Sequence, residues 1–403
     1  MNAAGANGLL KIAVDASALK SRYSHHGIQV YTRNLLEALR RVGPSRGMQI
    51  RPFLPVQKES IANTLAETPD FSPRQTSLMK FDRFWRYGGA TAAAFLDGAD
   101  IMLNPNGASV AVSSLLPTVT TIHDLTPMVM PCFPRRIAFL LKFFLMHTAK
   151  SSAAIITVSE HSKRDIVRLC GVPLSKVHVV YEGYDRSLFH DAPPDAASLA
   201  GLRGRIGIKR PYILHHGAVQ PRKNLSRLIG AYRLMLARNR NLDLDLVLAG
   251  PLAWQFEETV AAARDDHDSR CRVLLTGPLS DMDLSLLLRG ATLEVIPSLY
   301  EGFCLPMVEA MACGVPTIAS SGSCLLEISG GTLRYFDPYS VEELAECMRE
   351  TLHSHDLRAE LCGRGKERAQ QFSWDLCAEE TLAVVEQVAH MVPGKARAAG
   401  VVL

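Results

Sequence analysis

The chain has 403 residues, 47% of them hydrophobic, and a formal net charge of +4. That apolar content excludes disorder, and the length suffices for two domains of ordinary size. The small positive excess is too little for a general nucleic-acid binder, and suits an anionic small ligand or an anionic membrane surface. Nine cysteines, an odd number with no Cys-x-x-Cys pair and no metal-finger spacing, predict a reduced, cytosolic protein. No apolar run reaches membrane-spanning length, the best being Ile137 to Met146, broken by Lys142. Met1 to Leu10 lacks a basic start and runs into a strand, so it is not read as a signal peptide. ATP and NAD are disfavoured, because neither a Walker motif nor a Gly-x-Gly-x-x-Gly fingerprint occurs.

Lys11 to Asp15 is predicted as a first strand. Ser24-His25-His26-Gly27-Ile28 then leads into a helix through about Arg41, with Leu35, Leu36 and Leu39 as its apolar stripe. A glycine loop between a strand and a helix N-terminus is either a phosphate-friendly turn or a plain βα turn. Lys80 to Tyr87 interleaves aromatic and cationic residues, which fits a membrane interface, ligand stacking or a partly buried helix. Ala99 to Leu103 and Thr118 to Ile122 are predicted strands. The second ends in His123-Asp124, at the carboxyl edge where α/β sheets bind ligands, although a lone histidine is commonly structural. From Pro134 to Lys150 the chain mixes Arg135, Arg136, Lys142 and Lys150 with Ile137, Leu140, Leu141, Phe144 and Leu145. This reads either as an interfacial or acceptor-facing helix, or as a core helix with snorkelling cations.

Ile155 to Ser159 is a strand, Glu160 to Leu169 a helix, and Val177 to Gly183 a further strand. Asp191 to Ala200, with its prolines and alanines, reads as a linker. Pro211 to Gly217 starts a second domain as a strand. Adjacent Arg222 and Lys223 follow in a turn before a helix that runs to about Asn239, a forked guanidinium and a point-charge ammonium suited to a diphosphate. Leu244 to Gly250 and Arg272 to Gly277 are buried strands, and the loop Gly277-Pro278-Leu279-Ser280-Asp281 offers Ser280 or Asp281 as a helix N-cap. Leu293 to Ile296 reads as a short buried strand. Pro306 opens a helix to about Cys313, stopped by Gly314. Glu301 then lies in the loop and Glu309 about one turn inside the helix. The amides of Phe303 to Met307 form an anion site, flanked by two acceptor-only carboxylates. A nucleotide-sugar suits that arrangement; two solvated glutamates on a βα turn are the other reading. Asp243/Asp245 and Asp281/Asp283 fit the Asp-x-Asp of a metal-dependent transferase, but the first pair lies in or beside a strand and the second at a helix cap. Helices are predicted near Ser340 to Leu352, Leu357 to Gln371 and Trp374 to Val392.

The segment Ser298-Leu299-Tyr300-Glu301-Gly302-Phe303, followed by Glu309-Ala310-Met311-Ala312-Cys313-Gly314-Val315-Pro316, resembles the signature of retaining glycosyltransferases of the GT-B fold, glycosyltransferase family 4. Gly217, spaced from Arg222-Lys223-Asn224 after a strand, is similar to the same family, and the resemblance extends from about Gly27 to Pro338. It implies an α/β fold of two Rossmann-like domains facing each other across a donor/acceptor cleft. Residues 1–192 would be the acceptor domain, 193–373 the nucleotide-sugar domain, and 374–403 a helix crossing back to the first. By the same resemblance Glu301 contacts the donor sugar and Glu309 the ribose hydroxyls, while Arg222 and Lys223 neutralise the leaving diphosphate. His123 touches the sugar hydroxyls near the transfer centre, with Asp124 nearby. Gly27 closes on the diphosphate, the loop of Leu279 lies beside the nucleobase, and Gly217, Gly302, Phe303, Cys304 and Leu305 line the donor. Cys304 stands where the family more often has glycine. Glu182 stands where many members have asparagine, and no role is assigned to it.

The resemblance further implies transfer of a hexose, with mannose from GDP-mannose the best guess, onto a saccharide or lipid-linked saccharide in polysaccharide synthesis. It implies no metal or other cofactor, no nucleic-acid partner, and a cytoplasmic location with peripheral contact at the inner membrane leaflet. The alternatives are a same-fold sugar-nucleotide epimerase, which lacks the paired-glutamate segment, and a catalytically silent nucleotide-sugar binder.

Overall fold

The computed structural model describes residues 9–20, 27–55, 74–76, 85–107, 113–131, 134–264 and 270–391. Strands alternate with helices almost throughout, and a strand that returns through a helix re-enters its sheet in the same direction. Both sheets are accordingly all-parallel. The first holds β1 (Leu10–Asp15), β2 (Met48–Pro55), β3 (Arg74–Thr76), β4 (Ile101–Asn104), β5 (Thr118–Thr121), β6 (Ala154–Thr157) and β7 (Val177–Val179), in the order β3-β2-β1-β4-β5-β6-β7. The second holds β8 (Tyr212–His216), β9 (Asp245–Ala249), β10 (Val273–Gly277), β11 (Leu293–Ile296), β12 (Thr317–Ser320) and β13 (Arg334–Phe336), in the order β10-β9-β8-β11-β12-β13.

The chain divides into two units. One comprises the described residues through Met128, Pro134–Tyr181 and the helix from Trp374; the other comprises Val129–Phe133 and Glu182–Ser373 as far as they are described. Central strands β4, β5, β6, β11 and β12 are buried at every position, as expected where helices cover both sheet faces. In the second unit Leu228, Ile229, Tyr232 and Met235 of helix Leu225–Arg238 pack on Leu246, Leu248, Leu293 and Val295. In the first, Trp85, Ala90 and Ala94 pack on Phe53 and Met102, and Ile122, Ile155 and Ile166 form another cluster. Each strand order reverses once, between β1 and β4 and between β8 and β11. Loops leave those neighbouring strands in opposite directions and open a crevice at the carboxyl edge, the usual ligand position in such sheets.

Three segments were ambiguous or misread in the sequence. The stretch expected to be a linker contains helix Ala196–Ile206, because Asp195 caps it through Ser198 N at 2.8 Å and Pro193-Pro194 end before it. Of the aromatic–cation segment, Lys80 to Phe84 lies outside the described residues; Trp85 is buried, its Nε1 donating to Asp15 Oδ1 at 3.0 Å. Helix Arg135–Ser151 buries only Thr148 and Ala149, so it is not a core helix. Ile137, Phe139, Leu140 and Phe143 are instead exposed on it. No helix among the described residues is long and apolar enough to cross a membrane.

Candidate active site

Strand β8 ends in His215-His216 and the chain then passes through Gly217. Its φ of +133° is a conformation that side chains rarely adopt, and an added Cβ would lie 3.5 Å from Lys223 Nζ. The turn Pro221–Lys223 follows, and Asn224 sits in the left-handed region with φ 59°. Asn224 Nδ2 donates to Pro297 O at 3.0 Å and Pro338 O at 2.8 Å, and Leu299 N donates to Arg222 O at 2.8 Å. The loops that follow β8 and β11 are therefore tied together at the crevice by bonds that satisfy buried backbone groups.

This tie brings Arg222, Lys223 and Glu301 together. Lys223 Nζ lies 2.7 Å from Glu301 Oε1, and Arg222 Nη1 bonds Glu301 Oε2. Ser298 Oγ donates to Glu301 Oε1 at 2.8 Å, while Ser323 Oγ accepts from Glu301 N at 2.8 Å and donates to Glu301 O at 2.6 Å. Burial by itself would raise the Glu301 carboxyl, but Arg222 and Lys223 outweigh it and hold the group down to about 2. It is ionised at neutral pH. Two cations on one carboxylate leave a net charge of +1, so the cluster still attracts an anion. Arg222, with 21% of its side chain exposed, is the member open to solvent.

The helix after this loop spans Leu305–Ala312, one residue earlier than the sequence suggests at each end, with Cys304 as N-cap. Cys304 has φ 79°, the left-handed conformation that glycine adopts without cost, which gives a physical reason for the glycine common at this position in the resembled family. The thiol is buried, and burial pushes it up to about 12. Met307 N donates to Cys304 O at 3.0 Å, so that amide is committed to the helix and the anion site is narrower than expected. Gly302 and Phe303 are buried and Leu305 is half-buried beside it.

A second cluster adjoins the first. His216 Nδ1 lies 3.0 Å from Glu294 Oε1 on β11, and His216 Nε2 lies 3.0 Å from Glu309 Oε2 on the helix. Burial disfavours the charged imidazole, but the two carboxylates outweigh it and raise the group to about 9. Its neighbour His215 is the opposite case. Burial first, then the nearby Lys223 charge, holds it down to about 3, so it is neutral, with Nδ1 donating to Val295 O at 2.9 Å.

The chain matches two family models: Glycosyltransferase Family 4 over residues 25–188, and Glycosyl transferases group 1 over residues 203–368. The O-antigen chain mannosyltransferase B of Escherichia coli is 30% identical over 266 residues, covering 66% of this chain and 68% of that protein. The chain belongs to glycosyltransferase family 4. The MMP alpha-(1->4)-mannosyltransferase of Mycolicibacterium hassiacum is 35% identical over 246 residues, 59% of this chain and 55% of that protein. The serotype-specific mannosyltransferase WbdA of Escherichia coli is 28% identical over 260 residues, 64% of this chain but 32% of that protein. The fold is that of GT-B glycosyltransferases. Sucrose-phosphate synthase of Thermosynechococcus elongatus superposes with TM-score 0.70 at 20% identity, over 95% of this chain and 100% of that chain. HepE of Anabaena, solved with UDP, gives 0.70 at 17% identity over 94% and 100%.

The remaining residues expected at the site of this family 4 glycosyltransferase lie on other elements. Leu279 is half-buried just after β10, an edge strand of the second sheet, ahead of Ser280, whose side chain caps the next helix through Asp283 N at 3.1 Å. Gly27 is the exposed first residue of helix Gly27–Val42 in the first unit. His123, also in the first unit, follows β5 at the sheet's carboxyl edge. Its Nε2 lies 3.0 Å from Pro105 O, after β4, and Tyr31 meets its ring edge-on at 4.5 Å between centroids. Asp124 Oδ1 accepts from Thr126 N at 2.8 Å and so closes the turn. Asp245 is fully buried and bonded by Arg272 Nη1 at 3.1 Å, and Asp283 pairs with Arg205 at 2.9 Å. His216, Glu294, Ser298 and Ser323 escaped the sequence reading. A carboxylate inside the apolar run Leu293–Ile296 was the available signal for the first two.

Proposed function

We propose that this family 4 enzyme is a retaining hexosyltransferase that moves mannose from GDP-mannose to a saccharide or lipid-linked saccharide in polysaccharide synthesis, without a metal ion. The observation that carries the reading is the Arg222–Lys223–Glu301 cluster. Its net positive charge, at the switch point of a parallel sheet and beside a helix N-terminus, suits a sugar-linked diphosphate. The mannosyltransferase names of the related Escherichia coli and Mycolicibacterium proteins support the sugar. In this reading the acceptor hydroxyl attacks the anomeric carbon from the face on which the diphosphate departs. The carbon–oxygen bond to the diphosphate breaks, and the departing phosphate oxygen takes the hydroxyl proton. Arg222 and Lys223 stabilise the charge that develops on the leaving group, Glu301 aligns the sugar, and Glu309 holds the ribose. No carboxylate nucleophile is required. His123 contacts sugar hydroxyls in this reading.

Helix Arg135–Ser151 extends the proposal to the membrane. It carries Arg135, Arg136, Lys142 and Lys150, no acidic residue, and exposed Ile137, Phe139, Leu140 and Phe143, a composition suited to an anionic leaflet. The deciding experiment is a thermal-shift screen across nucleotide-sugars, followed by turnover of the best donor with and without EDTA and NMR of the product anomer. Stabilisation by GDP-mannose, EDTA-resistant turnover and a retained anomeric configuration are expected. Loss of activity in EDTA, restored by manganese, would overturn the metal-independent mechanism. Co-sedimentation with phosphatidylglycerol vesicles checks the helix; no binding there removes the membrane contact alone.

A further inference from the structure

We infer that His216 is a positioning residue for the donor nucleotide: pinned by Glu294, it clamps one carboxylate oxygen of Glu309 so that the other is presented to the ribose hydroxyls. The geometry is one-sided. His216 is held from β11, where Glu294 Oε1 takes both its backbone N–H at 3.2 Å and its Nδ1–H at 3.0 Å. With the ring fixed, Nε2–H reaches Glu309 Oε2 at 3.0 Å. Among the described residues Glu309 Oε1 has no such partner, and the Glu309 side chain keeps 13% of its surface exposed, against 2% for His216 and 0% for Glu294. Glu309 is therefore held at Oε2 while part of its side chain stays exposed. A carboxylate free to rotate offers a hydroxyl pair many geometries, whereas one fixed at Oε2 offers a single acceptor direction, which is what selective recognition of a diol needs.

A charged histidine between two carboxylates also contributes to stability, and a purely structural role is the competing account. It predicts that any replacement restoring the packing restores the protein. Replacing a buried ion pair by apolar residues of similar volume is commonly tolerated. The double variant His216→Leu/Glu294→Leu thus separates the two accounts, and His216→Gln, which keeps one donor without the charge, provides a second variant.

The inference rests on the proposed contact of Glu309 with ribose, and one experiment distinguishes failure of either. Calorimetry measures Kd for GDP, UDP and their 2′,3′-dideoxy forms on each variant. For whichever of GDP and UDP binds wild type more tightly, the dideoxy form should bind ~10–100-fold more weakly, the value of hydrogen bonds to a charged group. In the double variant this discrimination should fall to within about threefold, while His216→Gln retains an intermediate part of it. Equal binding of both forms by wild type, or no binding of either nucleotide, overturns the ribose contact and the clamp with it. Wild-type discrimination that survives undiminished in the folded double variant overturns the clamp alone.

Discussion

The two sheets share one topology and yet carry opposite chemistry at the same place. At the switch between β8 and β11, charged groups crowd the strand ends: Arg222 and Lys223 on Glu301, and His216 between Glu294 and Glu309. At the corresponding edge of the first sheet the described contacts are hydrogen bonds and ring contacts rather than ion pairs: His123 with Pro105 O, Tyr31 against His123, and Trp85 bonded to Asp15. Topology supplies a crevice in both, and the side chains at the strand ends decide what each accepts. The charged edge suits an anion, as proposed for the donor diphosphate.

The largest effects that test this contrast concern stability. Removing His216 leaves Glu294 and Glu309 buried without their shared cation, so His216→Ala should cost ~3–5 kcal/mol in urea unfolding. In the wild type, the His216 imidazole is raised from 6.5 to about 9, facing Glu294, Glu309 and His215. Its contribution is fully present below pH 6.5 and is lost as the pH rises through 9. Glu301 titrates at the other end: held down from 4.5 to about 2, it contributes above pH 4.5 and loses that as the pH falls through 2. Limited proteolysis at pH 7.5 and 9.5, with the cuts located by mass spectrometry, should show the second unit opening first at alkaline pH. First cuts within the β1–β4 edge would break the contrast.

Next come the catalytic effects. Arg222→Ala or Lys223→Ala should each lower kcat/KM by ~2–4 kcal/mol of transition-state stabilisation, the scale of one charged donor on a leaving group. His123→Ala, which removes a single hydrogen-bonding group, should cost about 1 kcal/mol. Turnover within about threefold of wild type for both cation variants would sink the assignment of the charged edge. Within that edge the two glutamates should fail differently. Glu309→Gln should weaken free nucleoside diphosphate by about tenfold or more, whereas Glu301→Gln should lower turnover and spare that affinity, since a contact with the transferring sugar counts most at the transition state. Equal loss of nucleotide affinity in both would show the sugar and ribose sides to be misplaced.

How much of this was legible beforehand follows from the kind of signal each residue leaves. Arg222, Lys223, Glu301 and Glu309 sit in turns and a helix start, where backbone chemistry marks positions locally, and the strand pattern placed them at one sheet edge. His216 and Glu294 lie inside β8 and β11, where an apolar run conceals a polar residue unless its cross-strand partner is known. Pairing between strands 78 residues apart is set by the sheet order, not by local sequence. The exposure of helix Arg135–Ser151 likewise depended on tertiary packing, since its cations fit both a core and an interfacial reading.

The smallest effect concerns Cys304, at the charged edge. Its φ of 79° is costly for any residue with a Cβ, roughly 1–2 kcal/mol, and glycine escapes that cost. Glycine also loses more chain entropy on folding, by about 0.5–1 kcal/mol, and the buried thiol contributes packing that glycine gives up. These terms nearly cancel, so Cys304→Gly should leave the melting temperature within a few degrees of wild type. Cys304→Ala loses the sulfur but keeps the strained Cβ, and should be the less stable of the two. Glycine exceeds alanine at ordinary N-caps by up to about 1 kcal/mol, so a gap larger than that marks the left-handed cap. Differential scanning calorimetry on the two variants checks it. Cys304→Ala melting above Cys304→Gly would mean that the backbone here is not strained, and that glycine at this position in the family serves the donor's access to the helix amides instead.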